Sequence, residues 1–346
     1  MKSKRTARSI MALEKSLLNI EKMSDLLARE YGLHFKDANP FGVGSANCFK
    51  VNCEEGTFFL KEFQSEYLMK DIEKEAALVD FLSKKGFPVA SFRQTLKGSF
   101  GTEYEGHVIS VQDFIEGRSY LNDMPVSYLL ECAEYLGKLH TLMQGYELNS
   151  FLDEKWLAKF SEEKSASNYD RLLDALEKQS DDPNYEKIRD DLLFRKSLAC
   201  RVNELKSYFI GITYKPTHGD YTACQLICVD DHIRAVIDFS SASTLPAIWE
   251  IMRSYVQSFG HFDLNEFTEY VKQYLRFSDL SRRDLEAMPY VYLFQLSQSL
   301  YGYEEYLITK SENRNNLLEY AIWRTNILKS IERQTSEISR TLTSLL

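Results

Sequence analysis

The chain lacks any Cys-x-x-Cys pair. Its six cysteines, Cys48, Cys53, Cys132, Cys200, Cys224 and Cys228, are scattered, which excludes the usual zinc-ribbon spacing and offers no disulfide framework. They read as reduced thiols. No apolar run reaches the roughly 18 residues a membrane-crossing helix needs, and the basic start, Met1 to Arg8, leads into a mixed polar pattern without the apolar core of a secretion signal. These absences predict a cytoplasmic protein with no membrane partner. A basic excess is also missing, since the net charge of −9 disfavours nucleic acid as a generic partner and leaves room for a cationic one. There is no Walker Gly-x-x-x-x-Gly-Lys segment, no internal repeat and no low-complexity tract. What is present is 346 residues with 44% hydrophobic and 13% aromatic side chains, enough for a globular protein of two lobes or domains.

The most informative stretch runs from Lys215 to Ser240. Gln225 to Val229 and Ile233 to Ile237 are rich in β-branched residues and flank Asp230-Asp231, so they read as two short strands joined by a turn. Asp220 and Gln225 lie at the start of this hairpin and Asp238 closes it, so the three polar groups should converge. Phosphoryl transfer asks a protein mainly for a carboxylate that orients and deprotonates a hydroxyl and for oxygen ligands that hold magnesium on phosphates. The stretch offers both.

Two further charges stand in apolar company. Lys61 shares a strand face with Phe59 and Phe63, so a cation on that face should need an anionic partner. The predicted helix from Asp71 to Lys84 carries Glu75 in the stripe of Ile72, Val79 and Leu82, with Glu73 as the rival carboxylate. Before them, Phe41 to Val51 and Thr57 to Phe63 flank the turn Glu54-Glu55-Gly56, and Gly42 and Gly44 permit close backbone approach to phosphates. Apolar positions from Ser9 to Tyr31 recur at helical spacing and predict leading helices. Gly106 to Phe114 reads as a strand, Val126 to Met143 as an amphipathic helix with His140 in its core, and Trp156 to Phe160, Tyr169 to Lys178 and Tyr185 to Tyr208 as helical segments. The acidic pair Asp181-Asp182 reads as a solvated loop.

His218-Gly219-Asp220, an amide five residues on at Gln225, and Ile237-Asp238-Phe239 together resemble the catalytic and metal-binding loops of the aminoglycoside phosphotransferase and choline kinase superfamily. The resemblance spans about residues 35 to 265. It implies an α+β, two-lobed protein kinase-like fold: leading helices over 1–35, a small β-rich, nucleotide-covering N-lobe over 36–116, and a larger, mainly helical C-lobe over 117–346 with the catalytic loops and acceptor-binding helices. It also implies an ATP- and magnesium-dependent O-phosphotransferase, with GTP as another possible donor, acting on a small-molecule hydroxyl. Asp220 matches the catalytic base, Asp238 a metal ligand, and Gln225 the position where most members carry a metal-binding Asn. Lys61 and Glu75 match the pair that holds the nucleotide phosphates. Gly42 and Gly44 match the nucleotide-covering hairpin, without the third glycine of protein kinases. Gln112, Asp113 and Phe114 match the inter-lobe hinge where adenine docks. Pro246 to Arg253 is similar to the helix that supports the metal loop, with Glu250 where Asp is more usual, and His218 reads as a loop brace. A catalytically quiet scaffold, as among spore-coat proteins related to the superfamily, is the alternative that Gln225 favours. A protein kinase is disfavoured by His-Gly-Asp in place of His-Arg-Asp.

Overall fold

The computed structural model describes residues 14–41, 46–149 and 154–346. Gly42 and Gly44, and the start of the predicted leading helices up to residue 13, lie outside these. The chain divides into two units, one formed by the residues up to Ser119 with Gln225–Ala242, the other by Tyr120–Cys224 with Ser243–Leu346.

The first unit is built on an antiparallel sheet of β1 (Phe35–Phe41), β2 (Asn47–Cys53), β3 (Gly56–Glu62), β4 (Gly101–Tyr104) and β5 (His107–Asp113), in the order β1-β2-β3-β5-β4. Alternation sets its two faces. Phe58 and Leu60 of β3, with Val51, Ile109 and Val111, pack under Met23, Leu26 and Leu27. Lys61 points with Phe59 to the opposite face, where Phe63 and Val108 meet Ile72 of the helix Met69–Lys84. The leading helix is shorter than its apolar spacing suggests. It starts at Ile20, where Asn19 caps it by accepting the Lys22 amide at 2.9 Å. Glu14 to Leu18 form a non-helical strap instead, in which the buried Glu62 takes the Leu17 amide at 2.9 Å and the Ser16 hydroxyl.

The predicted hairpin is present as Leu226–Val229 paired antiparallel with His232–Val236, turning through Asp230 and Asp231 at φ 48° and 61°. It groups with the first unit, although the boundary expected near Gly117 would assign it to the second. Backbone pairing explains this: Val236 donates to Pro88 O (2.9 Å), and Arg118 and Cys228 exchange bonds of 3.0 and 2.8 Å. Gly117, at φ 150°, allows the approach, because a Cβ there would stand 2.6 Å from Ile227 Cγ2.

The second unit is mainly helical. Its centre is the helix Ala247–Phe259, buried nearly all round, packed beside Leu129–Leu142, Leu264–Leu275 and Arg282–Ser297. The helix predicted over Tyr185 to Tyr208 breaks at Cys200 and Arg201 into Tyr185–Ala199 and Val202–Ser207; Arg201 there turns to Glu204 and Glu332. Asp182 is a structural acceptor, taking the Tyr306 hydroxyl at 2.6 Å and the Asn184 amide at 2.7 Å.

One buried carboxylate ties this unit together. Glu250 receives the amides of His218 (3.1 Å) and Gly219 (2.5 Å) and the Nε2 of His140 (2.8 Å), whose Nδ1 meets the Tyr274 hydroxyl (2.8 Å). Gly219, at φ 80°, makes the turn that aims successive amides at one acceptor. Burial alone would raise the Glu250 pKa, but the bond and charge of His140, the charge of His218 and the Gly219 amide outweigh it and lower the pKa below its ordinary value of 4.5. A carboxylate with a lowered folded pKa stabilises the fold above its unfolded pKa, and this contribution is lost as pH falls through the lowered value. Glu250→Ala should therefore cost about 3–5 kcal/mol at neutral pH, because it strands buried donors. Urea melts test this against Glu269→Ala on the exposed surface, expected to change stability by no more than about 0.5 kcal/mol.

Candidate active site

In the first unit, Lys61, Glu75 and Asp238 form one cluster. Lys61 Nζ lies 3.6 Å from Asp238 Oδ1 and 4.9 Å from the centre of the Phe63 ring. Burial would lower the lysine pKa, but Asp238 and Glu75 together raise it, so the ammonium stays charged. Glu75 is buried on the helix Met69–Lys84. Burial pushes its pKa up to about 7, with the charge of Asp238 adding to the rise and Lys61 and the Phe239 amide opposing it. The rival, Glu73, is engaged elsewhere, accepting from the Ser99 hydroxyl and the Phe100 amide (3.0 Å).

Asp238 adopts a left-handed backbone, φ 59° and ψ 66°. This costs an aspartate less than most residues but is still uncommon outside functional turns. The Ile237 amide donates to Gln225 O at 2.9 Å, so the backbone brings Gln225, in the turn Ala223–Gln225, beside the Asp238 loop. Among the described residues no group of three or more His, Cys, Asp or Glu side chains is arranged to hold a metal. Asp238 with the Gln225 amide oxygen is thus a sparse donor set. It suits magnesium, which binds through one or two carboxylates and takes its other oxygens from phosphates and water.

The amides of the expected hinge passage are engaged within the first unit. The amides of Asp113 and Phe114 donate to Ser91 O (2.9 Å) and Thr57 O (3.2 Å), and Gln112 is paired with Phe59 in the sheet. The donors expected for an adenine edge are therefore engaged within the unit, and any hinge donor would have to lie beyond Phe114. The sequence named Phe41, Phe59 and Phe114 but not their packing together, nor Lys50: Phe41 lies 5.7 Å from Phe59 and 6.0 Å from Phe114, ring centre to centre, and Lys50 covers Phe114 at 4.4 Å. The apolar positions of β1 and β3 were the available signal.

In the second unit, the Asp220 amide donates to His218 Nδ1 at 3.2 Å, so His218 braces the turn as expected. Asp220's carboxylate pairs with Arg253, whose Nη1 also reaches Gly219 O at 3.5 Å. Burial would lower the Arg253 pKa, and Asp220 more than offsets it. Arg253 was missed in the sequence, although its spacing gave a signal: it stands three residues after Glu250, on the same helical face, so one face holds both the amides and the carboxylate of this turn. Cys224 packs with its Sγ 3.7 Å from Leu121 O. Burial, chiefly, and the charge of Asp220 raise its pKa, so it is not an activated thiol.

With this geometry in place, the chain was compared with known proteins. A family model described as the phosphotransferase enzyme family matches residues 37–288. A search of curated proteins found no significant match. Among solved structures, a spectinomycin phosphotransferase in complex with ADP and spectinomycin aligns at 14% identity over 92% of this chain and 99% of its own, with a TM-score of 0.65. An amicoumacin kinase in complex with AMP-PNP, calcium and its substrate aligns at 14% identity over 90% and 94%, TM-score 0.60. A choline kinase from Cryptosporidium parvum aligns at 14% over 89% and 92%, TM-score 0.51. The α+β fold is that of kinase-like phosphotransferases, and the chain belongs to the phosphotransferase enzyme family.

Proposed function

We propose that the protein transfers the γ-phosphate of ATP, with magnesium, to a hydroxyl of a small molecule, with Asp220 as the base and Asp238 and Gln225 as the metal ligands. The observation that carries this reading is the ion pair of Lys61 with Asp238, to which the buried Glu75 adds its charge. Lys61 binds the nucleotide phosphates and Glu75 keeps it charged and in place. The adenine ring packs on the apolar rings of Phe41, Phe59 and Phe114. Magnesium, when bound, draws charge from the transferring phosphoryl group. Asp220 accepts the acceptor's proton, and Arg253 and the braced turn hold its carboxylate in position. The nucleotide and antibiotic complexes among the similar structures agree with this chemistry.

A ligand that binds only the folded state raises its stability, by about 2.7 kcal/mol at a hundredfold excess over Kd. Mg-ATP should therefore raise the melting midpoint, and the rise should disappear with EDTA. A midpoint that ignores millimolar Mg-ATP would favour the quiet scaffold.

Single substitutions separate the roles. Asp238→Ala should abolish the magnesium-dependent part of that shift. Asp220→Asn should preserve the shift while lowering turnover by about 10²–10⁴. If Asp220→Asn turned over normally in an ADP-release assay, Asp220 would not be the base. Gln225→Leu should raise the magnesium requirement, whereas Gln225→Asn should preserve activity. A Gln225→Leu magnesium titration that overlays the parent's would mean that water takes this ligand position.

A further inference from the structure

Arg253, paired with Asp220, also lies 5.7 Å from the ring centre of Trp249. Around it the second unit gathers cations and buried donors without matching anions. Arg324, on the helix Arg314–Glu332, is 8% exposed. Its Nη1 donates to Ser299 Oγ at 3.1 Å and its guanidinium covers Tyr320 at 5.4 Å, but its Nε meets no acceptor among the described residues. The other charged side chains acting on it include Arg195 and Arg253, both guanidinium groups; with burial, these lower its pKa against the pull of Tyr320 and Tyr292. Arg195, 2% exposed, gives its donors to neutral oxygens: Leu296 O (2.6 Å), Ser299 O (2.5 Å) and Thr325 Oγ1 (3.2 Å). The buried carboxylate on its helix, Asp191, is already held by Lys187 (2.8 Å), Lys329 (2.7 Å) and the Tyr303 hydroxyl (3.1 Å). Trp249, also 8% exposed, buries its Nε1–H without an acceptor among the described residues.

A guanidinium taken out of water is costly unless an anion meets it. Asp220 answers Arg253, but Arg324 and Arg195 have no such answer, and the orphaned groups on Arg324 and Trp249 are both donors. What this group of cations and donors around Arg253 lacks, among the described residues, is an oxyanion. We propose that the phosphate acceptor is a hydroxy acid, its carboxylate held by Arg324 and the Trp249 indole N–H while its hydroxyl faces Asp220. This rests on the phosphotransferase reading above and specifies its substrate class. It runs against the cationic acceptor that the net charge of −9 leaves room for, because net charge sums the whole chain whereas recognition depends on the charges lining one site.

The test pairs acceptors by charge. ADP release and melting midpoints are measured on the full chain with Mg-ATP and glycerate, malate or gluconate, against glycerol and glucose, and against choline, ethanolamine and kanamycin. Turnover, or a further midpoint shift, is expected for a hydroxy acid alone. Arg324→Met should raise the KM for that acid by about tenfold or more, with the Mg-ATP shift unchanged, and Arg324→Lys should recover part of the loss. Preference for a cationic or neutral acceptor would overturn the proposal, as would no response to any hydroxy acid. So would an Arg324→Met protein that is merely more stable, with acceptor KM unaltered, since Arg324 would then be only a buried charge without a partner. A parent midpoint that ignores Mg-ATP would instead sink the phosphotransferase reading itself.

Discussion

The burial of one carboxylate, Glu250, constrains much of the second unit. Its desolvation has to be offset by donors from three directions: the helix Leu129–Leu142 through His140, and two successive amides of the turn that carries Asp220. Because a carboxylate can only accept, His140 must present its Nε2 hydrogen to Glu250, which leaves Nδ1 for the Tyr274 hydroxyl on the helix Leu264–Leu275. Three helices and the turn are thereby in register around one charged group. The turn is held mainly through its backbone, so its geometry depends on Gly219 and Glu250 more than on the side chains displayed from it.

Both candidate aspartates rest against a cation of their own unit. Lys61 lies beside Asp238, and Arg253 beside Asp220. In each case burial would lower the pKa of the cation and the carboxylate beside it more than offsets that, so the desolvated cation stays charged. Glu75 is the group left partly out of this balance: burial raises its pKa to about 7, against the pull of Lys61 and with the charge of Asp238 adding to the rise. A phosphate or metal arriving at such a cluster would change which partners Lys61 and Asp238 face.

What was legible in the sequence was local. The hairpin ending at Asp238, the lysine on an apolar strand face, the glutamate in a helix stripe and the core position of His140 each follow from periodicity within one element. What was not legible depended on distant groups. The apolar spacing over Leu17 and Leu18 looks helical, but the strap there is not, and its Leu17 amide goes to Glu62, 45 residues later. The grouping of the hairpin with the first unit depends on the Pro88 carbonyl and Arg118. The engagement of the hinge amides by Ser91 and Thr57 could not be read from residues 112–114, since a backbone donor carries no mark of its partner. Nothing in the sequence singles out Arg324, and only packing shows it to be buried.

The hairpin uses the left-handed backbone at both ends, at Asp230 and Asp231 in its turn and at Asp238 where it closes. The torsions are similar, yet their evolutionary freedom differs. At the turn, any residue that tolerates positive φ serves, and glycine or asparagine would suit it better than aspartate, so those two positions can drift. At 238, glycine would relax the same torsion and discard the carboxylate. Exchange at the turn is a matter of local comfort, whereas exchange at the closing end also takes away the carboxylate that Lys61 faces.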